Sequence, residues 1–203
     1  MRRLLATLAA AAILAALPRP ARAGAETEIE MRAASTRYRF VDVSRSYENG
    51  LVFDALYTGE PDMDEIHVGL GYDVSSSGRS SVVPILYAAV GRQYGERGAT
   101  LGMLVYTERR KARFQCFLGH FVPIHGEVSS YTFVDTLDWT RVIGRYELGA
   151  SASAYEYEGE IVRVAGPVFK WSDRQGTWAV SARFGDENEV RLVRSLSFPP
   201  PVR

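Results

Sequence analysis

Residues 65–74 read EIHVGLGYDV, and every second residue of this stretch, beginning at Ile66, is apolar or aromatic. Successive side chains of a β-strand point to opposite sides, so this period of two predicts a strand with one apolar face. The same period recurs in residues 146–154 and 177–184. No stretch carries the 3.6-residue apolar spacing of an amphipathic helix over three turns. The pattern therefore predicts an all-β protein.

Turn-forming clusters separate the alternating runs and divide the chain into about ten strands. These strands span approximately residues 51–58, 65–74, 82–92, 99–107, 112–122, 130–140, 142–154, 162–171, 176–184 and 189–198. Residues 24–50 are expected to form an N-terminal arm or an edge strand. Consecutive strands joined by short turns favour a single antiparallel up-and-down β-barrel over residues 51–198.

The two ends of the chain have compositions of their own. Residues 1–23 begin with Arg2 and Arg3, continue through an apolar run and end in small residues at Ala21 and Ala23. This order is typical of a secretory signal peptide, so we expect cleavage after Ala23 and export across the inner membrane. Residues 199–203 read PPPVR and are expected to form a Pro-rich tail.

The charge balance excludes one large class of function. The full chain has 24 basic and 24 acidic residues. Four of the basic residues are arginines of the predicted signal, which leaves 20 basic against 24 acidic groups in the mature protein. A nucleic-acid-binding protein usually needs a surplus of positive charge, so no nucleic-acid partner is expected. Cys116 is the only cysteine, which excludes an intramolecular disulfide.

Two architectures fit the alternation. One is a barrel in the outer membrane, and the other is a soluble periplasmic β-sandwich or lipocalin-like protein that binds a small apolar ligand. The predicted strands are about nine to eleven residues long, which suits a tilted membrane-spanning strand. The less apolar face consists mostly of small residues, and Lys111 and Lys170 are the only lysines. These features favour the outer-membrane barrel, with the small-residue face turned to the lumen.

The last predicted strand points the same way. Residues 190–198 read VRLVRSLSF, which alternates apolar residues and ends in Phe198. In this it resembles the terminal strand of small bacterial outer-membrane β-barrel proteins, and the resemblance implies a barrel in contact with outer-membrane lipid. Arg194 and Asp135 fall on the apolar side of their strands, where a charge at mid-membrane costs about 2–4 kcal/mol. Either the register shifts there through a β-bulge, or these strands do not face lipid.

Charged and polar residues on the other face are the candidate functional residues. Arg145 and Glu147 are two positions apart, so we expect them to point the same way and to form an ion-paired ladder. Such a ladder either plugs a structural barrel or lines a narrow channel that attracts a small anionic solute. The side chains predicted to line the lumen are Arg113, Gln115, Arg145, Glu147, Arg183 and Arg191.

Two loops carry residue types that could support chemistry. His125 with Ser129 or Ser130 could serve a lipid-modifying outer-membrane enzyme as base and nucleophile. The local signatures of such enzymes are absent, so we expect no catalysis and no cofactor. The second loop contains a group of acidic residues and a histidine, which are residue types that bind divalent cations. The group completes no known ligand spacing, so we expect no metal site. Its members are Asp62, Asp64, Glu65 and His67.

Overall fold

A computed structural model describes residues 25–60, 64–74, 79–91 and 96–198. The predicted signal peptide and the Pro-rich tail lie outside these residues. The described part of the chain contains no helix that is long and apolar enough to cross a membrane. Its twelve strands are β1 (Ala25–Ala34), β2 (Arg39–Tyr47), β3 (Leu51–Gly59), β4 (Asp64–Tyr72), β5 (Ser80–Gly91), β6 (Arg97–Arg109), β7 (Ala112–His125), β8 (Tyr131–Ile143), β9 (Tyr146–Tyr157), β10 (Glu160–Ser172), β11 (Gly176–Gly185) and β12 (Glu189–Phe198).

The strands form one closed antiparallel barrel. Each strand pairs with its neighbours in sequence, and β1 pairs with β12, with Thr27 opposite Phe198. Closure removes the unpaired edges that an open sheet would expose to lipid. The prediction of an antiparallel up-and-down barrel is confirmed, with twelve strands in place of about ten.

The two additional strands come from the segment that the sequence assigns to an arm or edge strand. β1 and β2 pair along their length, from Ala25 opposite Tyr47 to Ala33 opposite Arg39. The charged residues of β1 obscure the strand pattern because they belong to the inner face. Arg32 is buried inside the barrel, although a sequence reading assigns such a charge to a solvent-exposed arm.

The barrel has two ends, which we name by their contents. The terminal mouth contains Ala25, Phe198 and the turns at residues 110–111, 144–145 and 173–175. The loop mouth is the opposite end and contains the connections at residues 35–38, 126–130 and 186–188.

Large apolar side chains cover the outside of the barrel. Leu70, Leu86, Leu101 and Trp139 are between 59% and 67% exposed, and they alternate with buried residues along their strands. A closed barrel with an apolar exterior is a transmembrane barrel, and in bacteria such barrels lie in the outer membrane. The outer-membrane prediction is therefore confirmed. The lipocalin-like alternative is excluded, because it requires the apolar face to point inward.

Inside the barrel, aromatic rings pack against glycines. Tyr87 of β5 is 1% exposed and lies beside Gly69 of β4 and Gly102 of β6. A Cβ atom at Gly69 would lie 2.5 Å from the Tyr87 ring, and one at Gly102 would lie 2.7 Å from it. The small residues of the inner face are thus needed for close approach. Tyr87 belongs to a buried apolar group that we call the floor cluster, namely Phe40, Val52, Leu56, Val83, Ile85, Tyr87 and Phe117.

Candidate functional site in the barrel interior

A cavity of about 840 Å³ lies in the lumen and reaches the loop mouth. We call it the vestibule. Members of the floor cluster line its inner end, where Phe40, Leu56 and Tyr87 are all buried. The vestibule is therefore an open chamber above a narrowed part of the barrel. The residues at its rim are Thr36, Glu60, Glu127 and Glu187.

One wall of the vestibule is aromatic. Phe121 stacks on Tyr131 with ring centroids 4.8 Å apart, and Tyr131 lies 5.3 Å from Tyr155. Tyr155 in turn stacks on Tyr157 at 6.4 Å. These residues occupy inward positions of the neighbouring strands β7, β8 and β9, so strand alternation places their rings in one row.

A buried hydrogen-bonded group supports this wall from β4. Tyr131 Oη donates to Glu65 Oε2 at 2.6 Å, and His67 Nε2 lies 3.0 Å from the same oxygen. His67 Nδ1 is 3.2 Å from Thr100 Oγ1 of β6. Glu65 thereby links β4 to β8 across the lumen, although these strands are not paired.

The opposite side of the lumen carries an ion-pair network that we call the vestibule network. Arg32 of β1 pairs with both Glu30 and Asp135. Tyr38 Oη donates to Asp135 Oδ1 at 3.2 Å. Arg191 Nη1 reaches the same oxygen at 3.3 Å, and its guanidinium lies 4.8 Å from the centroid of the Tyr38 ring.

The vestibule network continues along β11 and β12. Glu189 is its second acidic centre, since Arg191 Nε donates to Glu189 Oε1 at 3.0 Å and Arg183 pairs with the same oxygen. Thr36 Oγ1 lies 3.3 Å from Glu189 Oε2. Arg183 and Arg191 are therefore both held by carboxylates.

A β-bulge turns Asp135 into the lumen. The register of β7 and β8 shifts between Phe117 and Leu118, and the register of β8 and β9 shifts between Val134 and Leu137. An extra residue in one strand reverses the facing of the residues beyond it. Asp135 therefore points at Arg32 inside the barrel. The lipid-facing position that simple alternation gives this residue does not occur.

A second network lies nearer the terminal mouth. Arg113 Nε donates to Glu108 Oε2 at 2.8 Å, and its Nη1 pairs with Glu147. Lys170 Nζ lies 2.6 Å from Asp138 Oδ2. The Arg113 pairs join β6, β7 and β9, and the Lys170 pair joins β8 and β10, so charged side chains from five neighbouring strands neutralise one another at this level of the lumen.

Five of the six residues that the sequence places in the lumen do face it. Four of them belong to the two networks, and Gln115 lies on the inner face opposite Asp138 of β8 and Tyr106 of β6. The four network members are Arg113, Glu147, Arg183 and Arg191.

Arg145 is the exception, and the prediction for it is corrected. It lies in the two-residue turn before β9 and is exposed. Its Nη2 donates to Tyr146 Oη at 2.8 Å, and its guanidinium lies 5.0 Å from the centroid of the Tyr146 ring. Strand alternation begins at Tyr146, so the two-residue spacing from Glu147 does not determine where a turn residue points.

Sequence reasoning missed Glu30 and Arg32, although a signal was present. Residues 26–33 read ETEIEMRA, in which Thr27, Ile29 and Met31 alternate with charged residues. The alternation has the strand period, but its polar face is charged and not small. A lumen that contains ion pairs accommodates such a face.

The proposed catalytic group is not assembled in the structure. Ser129 Oγ donates to Glu158 Oε1 at 3.0 Å. His125 ends β7 on the exposed side of the loop mouth, opposite Arg97. The hydroxyl of Ser129 is thus committed to a carboxylate on the next hairpin and not to an imidazole.

The acidic group of the β3–β4 region is divided by strand alternation. Glu65 faces the lumen, whereas Asp64 Oδ1 accepts a hydrogen bond from Tyr57 Oη at 2.9 Å. Asp62 lies outside the described residues. Among the residues that the structure describes, no group of three or more His, Cys, Asp or Glu side chains could hold a metal ion.

An aromatic belt lies on the outside near the terminal mouth. Tyr146 stacks on Phe169 at 5.8 Å, Phe169 on Trp171 at 5.6 Å, and Trp171 on Trp178 at 5.9 Å. Rings of this kind prefer the membrane interface, so the belt indicates where headgroups meet the barrel.

Arg194 lies within this belt, which resolves the second conflict in the sequence. Its Nη1 is 2.9 Å from Asp173 Oδ2, and its guanidinium lies 4.8 Å from the centroid of the Trp178 ring. Asp173 belongs to the turn before β11, where the Arg194 hydrogen bond and the backbone amide of Gln175 hold the pKa of this carboxyl below its usual range. Arg194 therefore lies near the barrel end with a counter-ion, away from mid-membrane.

Comparison with solved structures agrees with the closed-barrel geometry. The chain shares its fold with small porins. It is similar to the KdgM porin at a TM-score of 0.62 and 9% identity, over 85% of this chain and 99% of that one. A KdgM porin in complex with disordered oligogalacturonate matches at a TM-score of 0.60 and 8% identity, over 85% of this chain and 98% of that one. The NanC porin matches at a TM-score of 0.59 and 9% identity, over 85% of this chain and 98% of that one. No family model and no curated protein matches the chain.

Proposed function

We propose that this protein is a narrow outer-membrane channel through which small hydrophilic solutes diffuse, and that it catalyses no reaction. The vestibule carries the proposal, because a closed barrel with an apolar exterior encloses an accessible chamber of about 840 Å³. The likeness to porins supports it at the level of the fold. In this proposal residues 1–23 direct export and are removed, and residues 199–203 remain as a short tail.

The lumen below the vestibule sets the width of the channel. The floor cluster fills one side, and the pairs Arg113–Glu147 and Lys170–Asp138 fill the other. These side chains admit only small solutes, and they also favour the second candidate function, a structural barrel with a plugged lumen. An anionic solute is the partner that the sequence predicts, and the complex of the KdgM porin with oligogalacturonate gives one example for a barrel of this fold.

Single-channel recording tests the proposal. The full-length chain is expressed, purified from the outer-membrane fraction and inserted into planar lipid bilayers. We expect discrete conductance steps. A correctly inserted barrel, identified by the change in its gel mobility on boiling, that gives no steps would indicate a structural barrel.

Matched variants locate the conducting path. The double variant Arg113→Ala/Glu147→Ala removes an ion pair without changing the net charge and widens the lumen, so its conductance should exceed that of the wild type. Arg145→Ala is the control, because Arg145 lies in an exposed turn outside the lumen. Equal conductance in the double variant and the wild type would mean that solutes do not pass this level.

A further inference from the structure

The basic residues of the two lumen networks provide no surplus positive charge, because each of them contacts at least one carboxylate. Arg191 contacts two, Glu189 and Asp135, and Arg32 contacts Glu30 as well as Asp135. Paired charges of opposite sign largely cancel at a distance, so the field in the lumen depends mainly on the carboxylates that form no ion pair.

Three such carboxylates lie at the rim of the vestibule. Glu60, Glu127 and Glu187 extend from three different connections at the loop mouth. Desolvation raises the pKa of Glu60, the carboxylates of Glu187, Glu65 and Glu189 raise it further, and Arg191 acts in the opposite direction. A concave wall of one charge sign concentrates counter-ions inside it.

Glu65 adds an independent feature deeper in the same chamber. Its side chain is 2% exposed and lines the vestibule. Both of its hydrogen bonds, from Tyr131 and His67, go to Oε2. Its Oε1 is buried without a hydrogen-bond partner among the described residues. An unsatisfied carboxylate oxygen at this depth costs free energy that a hydrogen-bond donor reaching it would recover.

The aromatic wall beside Glu65 suits the same kind of donor. Tyr131 and Tyr155 both line the vestibule, with ring centroids 5.3 Å apart. An ammonium group is attracted to the faces of such rings and can donate three hydrogen bonds. A carboxylate acceptor and aromatic faces together favour a cation with N–H groups over an anion or a neutral hydroxyl compound.

We infer that the vestibule is a binding and selection site for small organic cations that carry an ammonium group, with Glu65 and the Tyr131–Tyr155 wall as the contact residues. The inference deepens the proposed channel function and rests on it for the claim of transport. It gives this barrel a preference opposite in sign to the oligogalacturonate of the KdgM complex. The carboxylates of the rim attract the cation, and Glu65 receives it.

Ion selectivity tests the role of the rim. Reversal potentials are measured across a bilayer with a KCl gradient, and we expect K⁺ to permeate about tenfold better than Cl⁻. The variant Glu60→Gln/Glu127→Gln/Glu187→Gln should lose most of this preference. Glu156→Gln is the matched control, since Glu156 belongs to the same mouth but accepts a hydrogen bond from Gly159 in an exposed turn. Anion selectivity in the wild type would overturn the inference while leaving the channel function intact.

Equilibrium binding tests the role of Glu65 without depending on conductance. Radiolabelled glucosamine, N-acetylglucosamine and galacturonate are dialysed against the detergent-solubilised barrel. We expect glucosamine to bind best and Glu65→Gln to weaken its binding by about tenfold or more. Glu156→Gln, a change at the same mouth outside the proposed contact residues, should retain binding and so serves as the folded control. Equal binding of glucosamine and N-acetylglucosamine, or preference for galacturonate, would overturn the inference. Glucosamine binding without any conductance would refute the channel and retain the site.

Discussion

The guanidinium of Arg32 in β1 is ion-paired with the carboxylate of Asp135 in β8, two strands that do not pair with each other. The contact therefore crosses the lumen and connects distant parts of the wall. Both side chains are largely buried, and Glu30 and Tyr38 provide further hydrogen-bond partners. Several partners offset the cost of removing both charges from water.

Removing one member of this pair should destabilise the barrel. Arg32→Ala leaves Asp135 with one cation fewer in a buried position, and we expect the free energy of unfolding to fall by about 3 kcal/mol. The measurement is urea unfolding in phospholipid vesicles. The double variant Arg32→Ala/Asp135→Ala should lose less than the sum of the two single variants. Additive losses would show that the contact contributes no coupling, and Arg145→Ala provides the exposed control.

The contact between Gly69 and Tyr87 predicts an effect of volume. Gly69→Val places methyl groups where the Tyr87 ring lies, so we expect a loss of about 2 kcal/mol from overpacking. Ala88→Val adds the same class of side chain to an outward position of β5 and should change little. In a Tyr87→Ala background, Gly69→Val should cost less than in the wild type, because the ring is gone. An unchanged cost in that background would contradict the packing argument.

The pair Arg194–Asp173 predicts a shift in titration. Because Arg194 lowers the pKa of Asp173, the pair stabilises the folded state at pH values above the pKa of the unfolded carboxyl, and the contribution is lost as pH falls through the folded pKa. Arg194→Gln should raise the pKa of Asp173, which NMR titration in detergent can measure. Arg141→Gln removes an exposed arginine near the terminal mouth and should leave that pKa unchanged. If Arg141→Gln raised the pKa of Asp173 and Arg194→Gln did not, Arg194 would not be the counter-ion of this carboxyl.

The carboxyl of Glu60 predicts a pH-dependent selectivity. Its pKa lies above the ordinary value of 4.5 because of burial and the nearby Glu187, Glu65 and Glu189, which outweigh Arg191. As pH falls, Glu60 therefore loses its charge before an isolated glutamate would, and cation selectivity should begin to decline at that higher pH. Glu60→Gln should remove this early part of the decline. His67 contacts Glu65, so the same selectivity measurement in His67→Gln is the control for this neighbour.

The alternation of residues 65–74 was sufficient to predict β4 and its facing. Ile66 and Leu70 lie outside and Glu65 and His67 inside, because side chains on a strand must alternate. β1 was missed, since Glu30 and Arg32 are typical of a solvated arm and only the closed barrel shows that they face a lumen. Arg145 was misplaced because a turn residue is not bound by strand alternation.

Local chemistry in the sequence determined the elements that depend on near neighbours: strand period, turn positions and an apolar face suited to lipid. The tertiary structure decided which charges meet. Asp135 reaches Arg32 through a bulge and across 103 positions of chain, and Glu65 reaches Tyr131 across 66. Such contacts depend on strand number, register and closure, which are global properties of the barrel. For that reason the sequence predicted a charged lumen, and only the closed barrel showed that its basic groups are paired and that its open chamber is acidic.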